Sequence, residues 1–584
     1  MSDATGNTKA PVGGAFLIED RQAADILIPE AFDDEIKLFA QTAKTFVERE
    51  IRPDLDALEA LDYELSRQKM QKAGELGLLA IEVAEDHDGL GMGKAASAVV
   101  TDAIAASGSF NVTFSAHTGI GTLPLVYFGT DAQKEKYLPK LATGEWVAAY
   151  ALSEPESGSD SLSAKTRAVL DGDEWVLNGN KMWISNAGFA DLFTVFAQVD
   201  GDKFSCFLVE KDAPGLSLAA EEKKIGIKGS STRMVVLEDC RIPKENLLGE
   251  IGKGHLIAFG ILNIGRLKLA VGAGGASKDL IDIATKYALE RHQFNVPIAS
   301  FGLIREKLGT MTAETFALEA ALYRLAGDLD DAVAGVESAS EQLAKLNDYA
   351  VEFSFIKVFG SEILDYVVDE ALQIHGGYGF SAEFPLDLYY RNSRINRIFE
   401  GTNEINRALT IDQLLKRTMR GQLGLMGPAQ AAASGSPATE ASGPSELADA
   451  RLALTNAKRG FLQLAGAAAM SMMQKLKDEQ ELIGKLADIV GYIYLGESAL
   501  LRAERLLGGK NGDAAVIAAR TYMFSAMERI RTLGLAVARR LPGGAEAHAT
   551  RFAAYIDAVP LPDTIALTRA LSDATTEAEG YPFA

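Results

Sequence analysis

The sequence is poor in the residues that build disulfides, metal centres and membrane spans. It has 2 cysteines and 6 histidines in 584 residues. Neither Cys206 nor Cys240 forms part of a Cys/His cluster with metal-ligand spacing, and the sequence has no such cluster. We therefore predict two buried, unreactive thiols, no disulfide framework and no metal site. No apolar run reaches the roughly 18 residues of a membrane span, and the nearest candidate, 460–473, predicts a packed helix.

Positive charge is also scarce. The 58 basic and 80 acidic residues give a net charge of −22. Non-specific nucleic-acid binding needs a basic surface, so we do not expect it. The first twenty residues lack both the apolar core of a secretory signal and the Arg-rich, acid-poor pattern of a mitochondrial transit peptide. These features predict a cytoplasmic protein with at most peripheral membrane contact.

The chain is too long for one hydrophobic core, and its periodicity changes along its length. Helical spacing dominates 32–143 and returns after 253, whereas two Asp-Gly-Asp turns, at 171–173 and 200–202, lie between Val-, Trp- and Phe-rich runs and predict hairpins. We predict an α+β fold, mainly α. Its parts are an N-terminal extension (1–30), an N-terminal helical domain (31–146), a central β domain (147–250), a helical domain of the four-helix-bundle type (251–420), a Gly/Ala/Ser/Pro-rich linker or mobile loop (421–446) and an additional C-terminal helical domain (447–584).

Glu400 is the most informative single residue. It stands beside Gly401 and Thr402, between two helical patterns. A Glu followed by Gly can occupy a tight turn and reach over a flat ligand. A carboxylate in an apolar pocket has a raised pKa and can act as a base near neutral pH. Taken alone, the same pattern also fits a Glu near a helix start.

Two further segments contain groups suited to a heterocyclic ligand. Residues 150–160, Tyr-Ala-Leu-Ser-Glu-Pro-Glu-Ser-Gly-Ser-Asp, offer hydroxyls and flexible backbone at a strand end. Residues 181–186, Lys-Met-Trp-Ile-Ser-Asn, place a Trp beside a hydroxyl, so the indole can cover a flat ring while the Ser binds its edge. The plain alternatives are a Ser/Gly loop and a core Trp.

Together with Arg-His-Gln-Phe (291–294), the segment 301–308, Gln-Ile-His-Gly-Gly-Tyr-Gly (373–379) and Phe-Glu-Gly-Thr (399–402), these motifs occur in one unbroken order within 31–412. In this order the chain resembles the acyl-CoA dehydrogenase family of flavoenzymes. The helical region after 445 and Ile-Leu-Asn-Ile-Gly-Arg (261–266) resemble its very-long-chain branch. The resemblance implies an FAD cofactor, an acyl-CoA substrate, an electron-transferring flavoprotein as acceptor and a homodimer.

The resemblance also assigns individual residues. Glu400 matches the base that removes the α-proton, and Gly265 stands where other branches place that base. Matches to flavin-ring positions are Tyr150, Leu152, Ser153, Gly158, Ser159, Trp183 and Ser185. Matches to the rest of the dinucleotide are Arg291, Phe294, Gln373, Gly376, Gly377, Thr402 and Glu404, with Arg291 and Phe294 reaching a neighbouring subunit's flavin. Substrate contacts are expected from Ser159, Arg266 and Gly401, although Arg266 equally fits a helix salt-bridge partner.

The reaction implied by the resemblance is α,β-dehydrogenation of a long-chain acyl-CoA to a trans-2-enoyl-CoA in fatty acid β-oxidation. The alternatives are a dehydrogenase or oxidase for an unusual acyl-CoA, and a non-catalytic scaffold with the same fold. One departure is Asn295, at a position commonly Gly, which predicts a different local turn. Gly119 and Gly121 either deepen an acyl channel or allow close helix packing.

Overall fold

A layer of short helices precedes the β-sheet. The computed structural model describes residues 11–583, so the first ten residues of the predicted extension lie outside it. The Asp33 carboxylate caps the first helix by accepting from the Ile36 N–H at 2.8 Å. The helices of this layer are α1 (Asp34–Phe46), α2 (Leu55–Glu59), α3 (Tyr63–Glu75), α4 (Lys94–Ile104), α5 (Phe110–Ala116), α6 (Leu123–Phe128) and α7 (Asp131–Ala142). The helical prediction for this region is confirmed.

The central sheet forms from strands joined by the predicted turns. Its strands are β1 (Ala148–Ala151), β2 (Arg167–Asp171), β3 (Glu174–Ser185), β4 (Leu192–Val199), β5 (Lys203–Glu210), β6 (Leu216–Glu221), β7 (Thr232–Pro243) and β8 (Leu247–Leu248). Their order is β6-β7-β3-β2-β4-β5-β8, and β1 pairs with β4 in parallel. Asp171 pairs with Glu174 and Val199 with Lys203, so both Asp-Gly-Asp segments close antiparallel hairpins as predicted.

A second helical layer follows the sheet. Its elements are α8 (Gly254–Glu290), the short strands β9 (His292–Gln293) and β10 (Val296–Pro297), α9 (Gly302–Val333), α10 (Ala339–Leu346), α11 (Ala350–His375), α12 (Leu386–Ser393) and α13 (Asn403–Met419). By length and composition α8 is apolar enough to cross a membrane, although the sequence predicted no membrane span. In the fold, 72% of its apolar window is buried. Asn295 has φ +66°, so Asn adopts the left-handed turn usually given to Gly.

The segment predicted as a linker contains a helix. Residues 426–434 form α14 (Met426–Ser434), which packs against the next long helix, α15 (Ala448–Met472). A Cβ on Gly466 of α15 would lie 2.9 Å from the Ala429 Cβ, so the two backbones approach closely. The small residues of this segment predict a linker, but in the structure its alanines favour the helix and allow α14 and α15 to pack closely.

The remaining chain is helical to near its end. It forms α16 (Gln480–Leu506), α17 (Gly512–Arg540), α18 (Ala545–Ile556) and α19 (Thr564–Glu577). Buried ion pairs tie this additional domain to the second layer. Arg324 of α9 binds Glu497 of α16 at 2.9 Å, and Arg502 of α16 binds Glu319 of α9 at 2.7 Å. Because breaking such a pair strands a buried charge, the added domain is docked firmly rather than tethered.

Candidate active site

Glu400 lies on a strained turn immediately before α13. Its φ is +58°, and that of Gly401 is +81°. Left-handed backbone is unfavourable for a non-Gly residue, so the surroundings must stabilise it. The Thr402 hydroxyl ends the turn by accepting from the Ile405 N–H at 3.3 Å, which caps the helix. This backbone directs the Glu400 side chain toward α8.

The Glu400 carboxylate has the environment of a base. A Cβ on Gly265 of α8 would lie 2.8 Å from Glu400 Oε2, so only Gly leaves room for the carboxylate there. Oε2 is shielded from solvent and has no hydrogen-bond partner among residues 11–583. Burial raises the Glu400 pKa to about 7, against the opposing effect of Arg266 and Lys357. A proton acceptor poised near neutral pH results.

One cavity collects the predicted ring-side and substrate residues. It has a volume of about 440 Å³. We call it the ring cavity, and the predicted residues lining it are Tyr150, Leu152, Ser153, Gly158, Ser159, Trp183, Ser185, Arg266, Glu400 and Gly401. These come from β1 and the loop after it, β3, α8 and the Glu400 turn, several of which are distant from one another in sequence. Their convergence supports the predicted roles as a group.

Trp183 is presented to this cavity by an irregularity in β3. The pairing of β3 with β7 shifts register between Lys181 and Ile184, and Trp183 has φ +64°. Its side chain is 57% exposed, whereas Trp175 in the sheet core is 4% exposed. The core-Trp alternative is therefore wrong for Trp183. The Met182 N–H donates to the Ser153 carbonyl at 2.8 Å and so holds the two predicted ring-side segments together.

The ring cavity fits a flavin. Trp183, Ser153 and Ser185 all line it, so an indole is available to cover a flat ring and hydroxyls are available to bind the edge of a heterocycle. A Cβ built on Gly158 would meet nothing within 4 Å, so that backbone stands open to a ligand. Flat aromatic surface, edge donors and accessible backbone are what an isoalloxazine requires.

A second cavity, which we call the α8 cavity, meets the first at Glu400. It has a volume of about 540 Å³ and shares Ala116, Ile120, Ser185, Phe399 and Glu400 with the ring cavity. Along α8 it is lined by Gly265, Lys268, Leu269, Gly272, Ala273, Ala276, Asp279 and Ile283. Gly119 and Gly121 do not line it. A Cβ on Gly121 would lie 2.8 Å from the Ala148 Cβ, which favours the close-packing alternative at that position.

The other predicted dinucleotide residues lie elsewhere. Five of them form an exposed cluster at the C-terminal ends of α8 and α11: Arg291, Phe294, Gln373, Gly376 and Gly377. Phe294 is 88% exposed, and the Arg291 guanidinium lies 5.9 Å from the Tyr378 ring centroid. Thr402 serves as the α13 cap, and Glu404 is exposed in its first turn. None of these seven lines either cavity.

Three donor side chains hold the carbonyls of the Glu400 turn. Arg266 Nε donates to the Glu400 carbonyl at 3.1 Å, and both Lys357 Nζ and Asn406 Nδ2 donate to the Gly401 carbonyl at 2.8 Å. Arg266 forms no ion pair within residues 11–583, and burial lowers its pKa to about 10, so the salt-bridge alternative is wrong. Sequence reasoning missed Lys357 and Asn406. A lone Lys in the apolar run 353–360 was the available signal.

A mainly helical α+β fold in which a cavity lined by residues suited to a flavin meets a buried carboxylate is that of an oxidoreductase of the flavoenzyme class. Family models for the acyl-CoA dehydrogenase N-terminal, middle and C-terminal domains match residues 33–145, 149–240 and 252–415. A further model, also described as an acyl-CoA dehydrogenase C-terminal domain, matches 456–549. The chain belongs to the acyl-CoA dehydrogenase family.

Individual relatives agree with this assignment. A probable acyl-CoA dehydrogenase of Bacillus subtilis (strain 168) is 49% identical over 512 residues, which are 86% of each chain. The very long-chain specific acyl-CoA dehydrogenase of Homo sapiens is 39% identical over 364 residues, covering 60% of this chain and 53% of that protein. A crystal structure of an acyl-CoA dehydrogenase complexed with FAD from Bacillus anthracis superposes with a TM-score of 0.95 at 43% identity, covering 98% of this chain and all of that one. The predicted family and fold class are confirmed.

Proposed function

We propose that this enzyme is an FAD-dependent dehydrogenase of long-chain acyl-CoA thioesters, which it converts to trans-2-enoyl-CoA in fatty acid β-oxidation. The observation that carries the proposal is the position of Glu400. Its carboxylate, with a pKa raised to about 7, lies where the ring cavity meets the α8 cavity. A base between a flavin-shaped space and a long cleft suits proton removal beside a thioester carbonyl.

Glu400 contributes to the reaction in two ways. Its carboxylate takes the proton from the α-carbon, and Gly265 leaves the space for this approach. Its backbone N–H donates to no other group in the part of the chain that the structure describes, and so is free to bind the thioester carbonyl. A donor aimed at that oxygen stabilises the negative charge that develops as the proton leaves. When bound, FAD supplies the acceptor for the hydride from the β-carbon.

The α8 cavity supports the long-chain preference. Its α8 lining runs from Gly265 to Ile283, a span of about 27 Å at the 1.5 Å rise of a helix. Gly272, Ala273 and Ala276 line this face of α8, and because they have small side chains or none they leave space in the cavity. A narrow, extended cleft that begins at the base suits a long acyl tail better than a short one.

The exposed cluster supports a homodimer. An Arg, an exposed Phe and open Gly backbone are suited to a dinucleotide diphosphate and adenosine, yet these residues line neither the ring cavity nor the α8 cavity. We propose that they complete the flavin site of a second copy. We also propose an electron-transferring flavoprotein as the electron acceptor, which family membership supports. We also propose a cytoplasmic location, for which two buried free thiols suit a reducing compartment.

The visible spectrum of the purified protein tests this proposal. Under anaerobic conditions, palmitoyl-CoA should bleach the flavin band and butyryl-CoA should not. Glu400→Gln should keep the flavin but lose bleaching, with the rate falling about 1000-fold because a general base is removed. The proposal is contradicted if the purified protein has no flavin band, or if neither of the two thioesters bleaches that band. Rapid reoxidation of the reduced protein by oxygen would point instead to an oxidase.

Glu352→Gln is the matched control. Burial also raises the Glu352 pKa to about 7, but this carboxylate accepts from the Gly14 N–H at 2.7 Å and lines neither cavity. It should bleach with palmitoyl-CoA at the wild-type rate. An equal loss in both variants would mean that Glu400→Gln acts by disturbing the fold.

A further inference from the structure

Lys357 is a buried lysine that forms no ion pair in residues 11–583. It lies in the middle of α11, and its side chain is fully buried. Its Nζ donates instead to two neutral oxygens, the Gly401 carbonyl and Asn403 Oδ1, each at 2.8 Å. A buried ammonium without a carboxylate partner is unfavourable for folding. A titratable group kept in such an environment beside a candidate base is itself a candidate for a functional role.

The Gly401 carbonyl belongs to the turn that carries Glu400. Three consecutive carbonyls of this turn, those of residues 400, 401 and 402, accept from side chains. Arg266 binds the first and Lys357 the second, and Asn406 Nδ2 lies within 3.3 Å of all three. Arg266 comes from α8, Lys357 from α11 and Asn406 from α13. Because Glu400 has a left-handed backbone, it depends on these donors to stay in place.

A relay of hydrogen bonds extends from Lys357 to the additional domain. Asn403, which accepts from Lys357, donates to Glu362 Oε1 at 3.0 Å. Arg407 binds both oxygens of Glu362 at 2.8 Å, and its Nε donates to Asp488 Oδ1 at 2.6 Å. Asp488 lies on α16 of the additional domain.

The same helix also packs directly against α11. A Cβ on Gly491 of α16 would lie 2.0 Å from the Phe359 ring of α11, so the two helices are in close contact near Lys357. The relay and this packing both connect α16 with the helix that carries the buried lysine.

We propose that Lys357 is a positioning residue for Glu400. Through the relay that ends at Asp488, the additional C-terminal domain holds Lys357 in place. This inference rests on the proposed function of Glu400. It gives the added domain a role inside the catalytic site. The additional domain then supports catalysis through its contacts with α11 and α13, and does not only enlarge the chain.

The charges around Glu400 and Lys357 determine how the reaction rate is expected to depend on pH. The cations that act on Glu400 are Arg266 from α8 and Lys357 from α11, and both favour its ionised form. Burial lowers the pKa of Lys357 to about 7, against the opposing effect of Glu400, Glu404 and Glu362, so Lys357 carries its charge mainly below about pH 7. Removing the Lys357 charge therefore raises the pKa of Glu400 and shifts base-dependent proton removal to higher pH.

The test is anaerobic flavin reduction by palmitoyl-CoA in the full-length holoenzyme, followed in a single turnover from about pH 6 to about pH 9. Lys357→Met should keep the flavin band and the affinity for palmitoyl-CoA. Its rate of flavin reduction at pH 7 should fall at least about tenfold. The pH at which this rate rises should be higher than in the wild type. Lys357→Arg retains charge and donors, and should restore most of the rate and the wild-type profile.

Asp488→Asn tests the relay, with Asp449→Asn as its control. Asp449 binds Arg520 at 2.6 Å, a pair of similar exposure that lies wholly within the additional domain. Asp488→Asn should slow reduction several-fold, and Asp449→Asn should not. A wild-type rate and pH profile in Lys357→Met overturns the positioning role. Equal behaviour of the two Asp variants overturns the relay.

Two further outcomes are also decisive. If Lys357→Met does not fold, Asp488→Asn decides, because it leaves Lys357 in place, and a wild-type rate and profile there overturn the proposal. If the wild-type protein itself is not reduced by palmitoyl-CoA, the proposed function fails. If it is reduced and the variants match it, only this inference fails.

Discussion

Around Glu400, ten predicted residues from the sheet, α8 and one turn line a single cavity. At the other end of α8, five residues predicted to bind the same cofactor lie on an open surface, and Phe294 is 88% exposed. The first region is enclosed by one chain, and burial shifts the pKa of its central carboxylate. The second has donors and open backbone but no walls. This contrast is expected if, as we propose, the exposed cluster completes the cofactor site of a second copy.

The enclosed region should be the more sensitive to small changes in volume. Gly265→Ala would place a methyl group 2.8 Å from Glu400 Oε2, so the carboxylate must move. Because misplacing a catalytic group by about 1 Å can cost on the order of 100-fold, we expect flavin reduction to slow by about that factor, with flavin content unchanged. Single-turnover kinetics with palmitoyl-CoA measures this effect.

Gly427→Ala is the control for that experiment, since Gly427 of α14 lines neither cavity and a Cβ there would lie within 4 Å of no other atom of the described residues. It should reduce at nearly the wild-type rate. If both alanine variants behave alike, the tight fit of Glu400 against Gly265 is not what supports the rate.

The exposed cluster should be sensitive to charge rather than to volume. Arg291→Ala is expected to weaken flavin binding by about 10- to 100-fold, the effect of losing charge-assisted hydrogen bonds to a diphosphate. Flavin content after gel filtration measures this loss. Arg531→Ala removes an exposed Arg paired only with Asp557 and should keep its flavin.

Mixing subunits tests whether Arg291 serves a second copy. A dimer with one Arg291→Ala chain and one Glu400→Gln chain has one site with an intact base and an intact partner Arg. Co-expression should therefore restore about a quarter of the wild-type activity, since about half of the dimers formed are mixed and each has one working site. No recovery would show that Arg291 acts within its own chain, and the half-site interpretation would be withdrawn.

The raised pKa of Glu400 also predicts a pH-dependent effect on stability. Its pKa rises from 4.5 to about 7 on folding, so the folded state favours the neutral form. The resulting penalty is absent below about pH 4.5 and complete above about pH 7. Glu400→Gln should therefore melt a few °C above the wild type near pH 8, with no difference near pH 4. Differential scanning calorimetry at both pH values measures this, and an equal difference at both would argue against a shifted carboxylate.

The smallest effect is expected in the backbone of the exposed cluster. Gly376 has φ +59°, whereas its neighbour Gly377 has no positive φ, and neither would place a Cβ near another atom. Gly376→Ala should destabilise the protein by about 1 kcal/mol, while Gly377→Ala should be close to neutral. Thermal unfolding of the two variants provides the comparison. Equal values would mean that backbone strain does not shape this surface.

Local sequence patterns predicted the features that depend on neighbouring residues. The Asp-Gly-Asp turns close hairpins because their backbone needs are met by the turn residues themselves. The same reasoning failed for 421–446, where Ala-rich composition suggested a linker but α14 docks on α15 through Gly466. Small residues give no local sign of whether a partner surface exists, so composition could not distinguish the two.

The sequence by itself determined the family and the helix–sheet–helix order, and it predicted Glu400 as the base, because contiguous motifs carry that information. Only the tertiary structure decided that Gly265 makes room for the carboxylate, that Trp183 faces a cavity rather than the core, and that Lys357 reaches the Glu400 turn from another helix. The physical reason is that burial, pKa shifts and hydrogen bonds depend on atoms brought together from α8, α11 and α13, and these separations are set by packing rather than by any local pattern.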